Sequence, residues 1–150
     1  MKAVSSATLF LAVVSSAGCA QAPTSSDAPP AADVVSVPFE RAIDPALVHD
    51  LHDKWVEFDA HFGGLIDGRS DLPAPYHDGY VRFSLLGGPD ATDVNRDAVI
   101  ADTKGELATT MVPLTAVHVR AMPVPETKLI GLKQEPQPAV LLLVDYVVPR

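Results

Sequence analysis

Two hydrophobic rhythms divide this chain. Between Pro45 and Phe62, the residues Leu47, Val48, Leu51, Trp55, Phe58 and Phe62 recur at spacings of three and four. At about 100° per residue they share a stripe roughly 100° wide, the core face of an amphipathic helix. Asp44 suits the N-cap, Pro45 the first helical position, and Gly63-Gly64 the stop. Such a helix would be roughly 27 Å long, enough to lie across several strands. Trp55, the only tryptophan, falls mid-stripe and reads as a core anchor.

Beyond Gly64 the period shortens to two. Val34–Glu40 is a first strand candidate ahead of the helix. In Tyr80–Leu86, Val81, Phe83 and Leu85 alternate with Tyr80, Arg82 and Ser84, and in Thr115–Met122, Val117, Val119 and Ala121 alternate with His118 and Arg120. Ala98–Ala101 and Glu106–Val112 flank Asp102-Thr103-Lys104-Gly105, which suits a type I turn and predicts a hairpin. Lys128–Leu132 reads as a short strand. Val140–Val148 is nearly all apolar, as expected of a central strand covered on both faces. Pro123, Pro125, Pro136 and Pro138 read as punctuation between these segments. A strand, a long helix and then short-linked strands predict an α+β domain, a mainly antiparallel sheet with one long amphipathic helix packed on it. The alternative is a β-sandwich with an inserted helix.

The N-terminus carries a different signal. Met1-Lys2 leads into an apolar run, Ala3–Val14, about a dozen residues against the roughly 20 of a bilayer-crossing helix. Ser15-Ser16-Ala17-Gly18 then precedes Cys19, the only cysteine. Residues 1–19 resemble the signal peptide and lipobox of bacterial lipoprotein precursors. The resemblance departs from the pattern at Ser16, where an aliphatic residue is usual, and in having a single basic residue ahead of the run. It implies that residues 1–18 are removed and that Cys19 is the lipid attachment site. Ala20 behind it implies an outer-membrane address facing the periplasm. Acylation also accounts for an odd thiol in an exported chain that has no disulfide partner. Residues 19–33, rich in Ala, Pro and Ser, lack large apolar side chains and read as a tether. Residues 34–150 then suit one globular domain with a single core.

With 19 acidic against 11 basic residues, the chain carries a formal net charge of −8. Phosphate binding depends on clustered Lys and Arg, so this balance speaks against nucleic acid and anionic lipid surfaces as partners. It leaves room for a basic protein of the cell envelope.

Three constellations could carry chemistry. His49 and Asp53, four apart on the expected helix beside His52, could hold two corners of a metal site, with a third from His61, His77 or His118. A solvated polar face explains them more simply. Asp93, Asn95 and Asp97 open like a calcium loop, but Ala98 and Lys104 stand where the pattern wants Gly and a bidentate acid. The long loop Gly63–Asp78 ends in Tyr76-His77-Asp78 and suits a binding segment, though adjacent residues rarely face each other as a catalytic dyad. No nucleophile elbow, phosphate loop or dinucleotide fingerprint occurs. The sequence thus predicts a lipid-anchored, non-enzymatic binding or assembly module with no cofactor, no metal and no catalytic residues. Its expected contacts are the membrane through the lipid and a protein of the envelope. The alternative is a small metal-dependent or hydrolytic periplasmic enzyme, whose pocket would gather several of His49, His77, His118 and nearby carboxylates.

Overall fold

A computed structural model of the chain describes residues 33–68, 71–88, 91 and 94–150. The signal segment, Cys19, the tether up to residue 32, Asp90 and Asp93 lie outside the described residues. The elements are β1 (Val34–Ser36), α1 (Phe39–Ala42), α2 (Val48–Leu51), β2 (Trp55–Leu65), β3 (Tyr80–Gly87), β4 (Val94–Ala101), α3 (Glu106–Thr110), β5 (Ala116–Ile130) and β6 (Glu135–Pro149). The strand order is β1-β2-β3-β4-β6-β5, and β5 returns to pair with β2. Strands β2 to β6 therefore close a five-stranded barrel.

The long helix is corrected by this fold. Asp44 does start a turn, its Oδ1 accepting the Ala46 N–H at 2.8 Å, but α2 ends at Leu51. His52 is extended and Asp53 has a φ of 64°, which leaves the right-handed helical region. From Trp55 onward the chain is strand. Val56, Phe58, Ala60 and Phe62 are buried, whereas Glu57, Asp59 and His61 alternate on the other face. Phe58 and Phe62 fit both periods, and the barrel decides for the shorter one because β2 pairs with β5 through Val56↔Ala121 to His61↔Ala116. Gly63-Gly64 is a bulge rather than a helix stop: the register with β3 slips between Phe62 and Gly64. A Cβ on Gly63 would lie 2.2 Å from Ser84 Oγ, and Gly64 has a φ of 115°. The bulge bends β2 so that it pairs with β5 along one half and β3 along the other.

Two further expectations change. Asp102–Lys104 is a single 3-10 turn and Glu106–Thr110 is helix, so no hairpin forms there. The sheet is mainly antiparallel, with β1–β2 and β4–β6 as parallel pairs. The β-sandwich alternative gives way to the closed barrel. Its interior is filled by Phe62, Phe83, Leu85, Ile100, Leu142 and Val119, with α1 and α2 adding Phe39, Ala42, Val48 and Leu51. The rings of Phe62 and Phe83 lie 5.5 Å apart at its centre.

Strands β5 and β6 are each 15 residues long and outrun the barrel. β5 pairs with β2 only as far as Ala121, and β4 meets β6 only at Leu142–Val144. Residues 125–130 and 135–140 thus form a two-stranded arm. The four prolines lie inside these strands, not between them. Pro123↔Leu142, Pro125↔Val140, Thr127↔Pro138 and Leu129↔Pro136 are alternate pairs of one ladder and belong to one class. A proline cannot supply the N–H that a hydrogen-bonded pair requires, so these are the non-hydrogen-bonded positions, where the missing donors face the arm's outer edges.

Candidate functional site

The connection from β2 to β3 is more than a surface excursion. Ile66 N–H returns to the Arg82 carbonyl at 3.0 Å, and Leu72 and Tyr76 pack on Val99, Leu141 and Leu143 of the barrel's outer face. This cover buries Arg82, whose side chain is only 7 % exposed. Its guanidinium is held bidentately by Asp71 at 2.6 and 2.9 Å, by Asp97 at 2.7 Å and by the Gly68 carbonyl at 3.0 Å. The hydrogen bonds from Arg82 hold the Asp71 carboxyl below its ordinary range, and those same carboxylates push the Arg82 pKa further upward.

Beside this cluster, between Asp71–Pro73 and Pro125–Leu129, lies a recess of about 670 Å³ that reaches Gln134. That size is within the usual range of ligand pockets, roughly 300–1,000 Å³. On the arm face that looks into it, Glu126 and Lys128 follow Val124. The Lys128 amine donates to Asp97 Oδ2 at 2.5 Å. Glu126 has no such support: its Oε2 is buried and without a hydrogen-bond partner among the described residues. Burial raises the Glu126 pKa, with Asp97 and Asp71 adding repulsion, and the attraction of Lys128 and Arg82 does not cancel this. Among the described residues, the three carboxylates Asp71, Asp97 and Glu126 share two cations, Arg82 and Lys128.

A second depression, about 510 Å³, is lined by Phe39, Glu40, Asp59, His61, His118 and Arg150 among others. Asp59 is partnered there, with His118 Nδ1 at 2.9 Å and Arg150 Nη1 at 2.6 Å. His118 and His61 are brought together, but His49 and His77 are elsewhere. His77 Nε2 lies 2.7 Å from the Leu72 carbonyl. His49 lines a small recess with Pro45, Val48 and Pro125. The short α2 separates His49 from Asp53, which instead contacts His52 at 3.2 Å. Asn95 lies in β4, exposed, and Asp97 is occupied by Arg82 and Lys128. Among the described residues, no three His, Cys, Asp or Glu side chains are grouped so as to hold a metal ion. No helix among them is long and apolar enough to cross a membrane.

Sequence reading missed Asp71, Arg82, Glu126 and Lys128. They are scattered over 58 positions of chain. Their one local signal is the alternation of Glu126 and Lys128 with Pro125, Thr127 and Leu129, which places both on one strand face.

No family model matches the chain, and no curated protein matches it in sequence. Among solved structures it is similar to the mitochondrial single-stranded DNA binding protein Rim1 of S. cerevisiae, with 10% identity, 63% of this chain and 90% of that one covered, and a TM-score of 0.43. It is also similar to the aspartyl tRNA synthetase of Entamoeba histolytica, with 11% identity over 67% of this chain, 19% of that chain covered and a TM-score of 0.44. The exclusion of nucleic acid drawn from net charge is withdrawn, because that charge sums the whole chain and does not describe one face of it.

Proposed function

We propose that this domain is a non-enzymatic binding module, held at the periplasmic face of the outer membrane through a lipid on Cys19. Its recess between Asp71–Pro73 and Pro125–Leu129 receives a cationic group displayed by another envelope protein. One observation carries the reading: Glu126 Oε2 is buried in that recess without a partner among the described residues, beside a lysine already committed to Asp97. A buried unpaired acceptor is costly, and an incoming ammonium or guanidinium would satisfy it. Leu72 and Pro73 supply apolar walls for the stem of such a side chain.

The test is an NMR titration of the full chain in detergent with the tripeptides Ala-Lys-Ala and Ala-Arg-Ala, and in parallel with an oligothymidylate. Amide shifts confined to residues 71–73 and 125–129 are expected with the peptides. Glu126→Gln should weaken binding about tenfold or more, since a hydrogen bond to a charged group is worth about 1.5–3 kcal/mol. Shifts with the oligonucleotide at this recess and none with the peptides would replace the reading with nucleic-acid binding.

A further inference from the structure

The arm ends in an unusual surface. Leu129 is 60 %, Ile130 49 % and Leu132 105 % exposed, so three large aliphatic side chains stand in solvent within four residues. From Thr127 to Gln134 the chain holds Lys128 and Lys133 and no carboxylate, in a protein of net charge −8. Along the flanks the prolines withhold N–H donors, so the arm is poorly suited to adding another strand. Its apolar chemistry is concentrated at the end and not along the edges.

The direction of the arm is set by the register. Val35 pairs with Val56, and Val56 with Ala121, so the three residues lie abreast. β1 runs parallel to β2, and β5 runs against it. The chain therefore enters the barrel at Val34 from the same end at which β5 leaves it beyond Ala121. From Ala121 to Ile130 is a reach of roughly 30 Å at about 3.3 Å per residue. The fourteen residues from Ala20 to Asp33 can reach at most about 48 Å. The arm's length falls within this reach, so a bilayer that holds Cys19 is accessible to the arm tip.

We infer that the tip residues Leu129, Ile130 and Leu132 insert into the interfacial layer of the bilayer that holds the chain, making the arm a second, reversible membrane contact. The inference rests on the lipid-anchor reading. Aliphatic side chains enter the headgroup boundary while Lys133 stays at its surface, the arrangement that suits interfacial contact. Contact at both the tether and the tip would orient the barrel with its recess close to the membrane.

The test uses the full acylated chain, with Trp55→Phe and Leu132→Trp, on vesicles of phosphatidylethanolamine and phosphatidylglycerol. The new indole is expected to emit further to the blue on the vesicles and to be quenched by lipids brominated in their acyl chains. Adding Leu129→Ser and Ile130→Ser should abolish the shift. Attachment through Cys19 with an unshifted, unquenched indole would overturn the inference and leave the anchor standing. A blue shift that appears without vesicles and grows with protein concentration would assign the tip to a second copy of the chain and also overturn it. Failure of the chain to attach at all would remove the anchor and the inference together. Because Leu132 is fully exposed, its replacement leaves the barrel intact.

Discussion

Tyr146 on β6 donates a hydrogen bond of 2.7 Å to Glu57 Oε1 on β2, across the intervening strand β5. The same oxygen accepts from Arg120 Nε and Nη2 at 3.0 and 2.7 Å, and the Arg120 guanidinium lies 5.0 Å from the Tyr146 ring centroid. The three strands that close the barrel are thus tied on their outer face by one carboxylate. Tyr146→Phe should cost about 0.5–1.5 kcal/mol in urea unfolding, the usual net worth of one hydrogen bond.

The same carboxylate gives an acid-dependent contribution. The hydroxyl of Tyr146 and then Arg120 hold the Glu57 pKa below its ordinary 4.5. A group lowered on folding stabilises the native state above its unfolded value and loses that contribution as the pH falls through the folded one. Asp71, held down by Arg82, acts in the same direction. Urea midpoints of the wild type should therefore fall as the pH drops below about 4.5, and Glu57→Gln should flatten the decline.

Glu126 has the opposite sign. Its pKa is raised by burial, so the folded state binds its proton more tightly than the unfolded one. Stability from this group is complete below 4.5 and is lost as the pH rises through the folded value. Glu126→Gln should be more stable than the wild type at pH 7, with the difference shrinking toward pH 4 as the wild-type carboxyl gains its proton. Equal midpoints at pH 7 would mean that the carboxylate is solvated.

The bulge in β2 leaves no room for a side chain. A Cβ at Gly63 would meet Ser84 Oγ at 2.2 Å and Leu86 Cγ at 3.1 Å. Gly63→Ala should cost about 1–3 kcal/mol through overpacking, and Ser84→Ala in the same chain should recover part of it, because the nearest clash is with the hydroxyl. Additive costs in the double-mutant cycle would show that the strain lies elsewhere.

The arm's prolines predict an association phenotype rather than a folding one. Pro125→Thr with Pro138→Thr restores donors on both free edges. Sedimentation velocity should then show concentration-dependent dimers or larger species, while the wild type stays unchanged over the same range. Persistence of the wild-type profile would mean that the prolines serve only to stiffen the arm.

Much of the barrel was legible along the chain. The alternation in Tyr80–Leu86 and Thr115–Met122 marks β3 and the first half of β5 because one face of each strand packs in the apolar barrel interior and the other carries polar side chains, which period two records directly. The apolar run Val140–Val148 marks the central part of β6, where Leu141 and Leu142 on opposite faces are both buried. The expectations of a signal segment and a tether rest on composition and fall outside the described residues.

What the tertiary structure decided lies where local preference was evenly balanced. Leu47 to Phe62 satisfies a helical stripe, yet Val56 and Ala60 need burial too, and only pairing with β5 supplies it. Prolines that look like breaks become strand residues once the strands leave the barrel and have free edges. The recess depends on Asp71, Arg82, Asp97, Glu126 and Lys128 meeting through the closure of β4 on β6 and β6 on β5. Such pairings between distant segments are fixed by the shared core, so no window of sequence contains them.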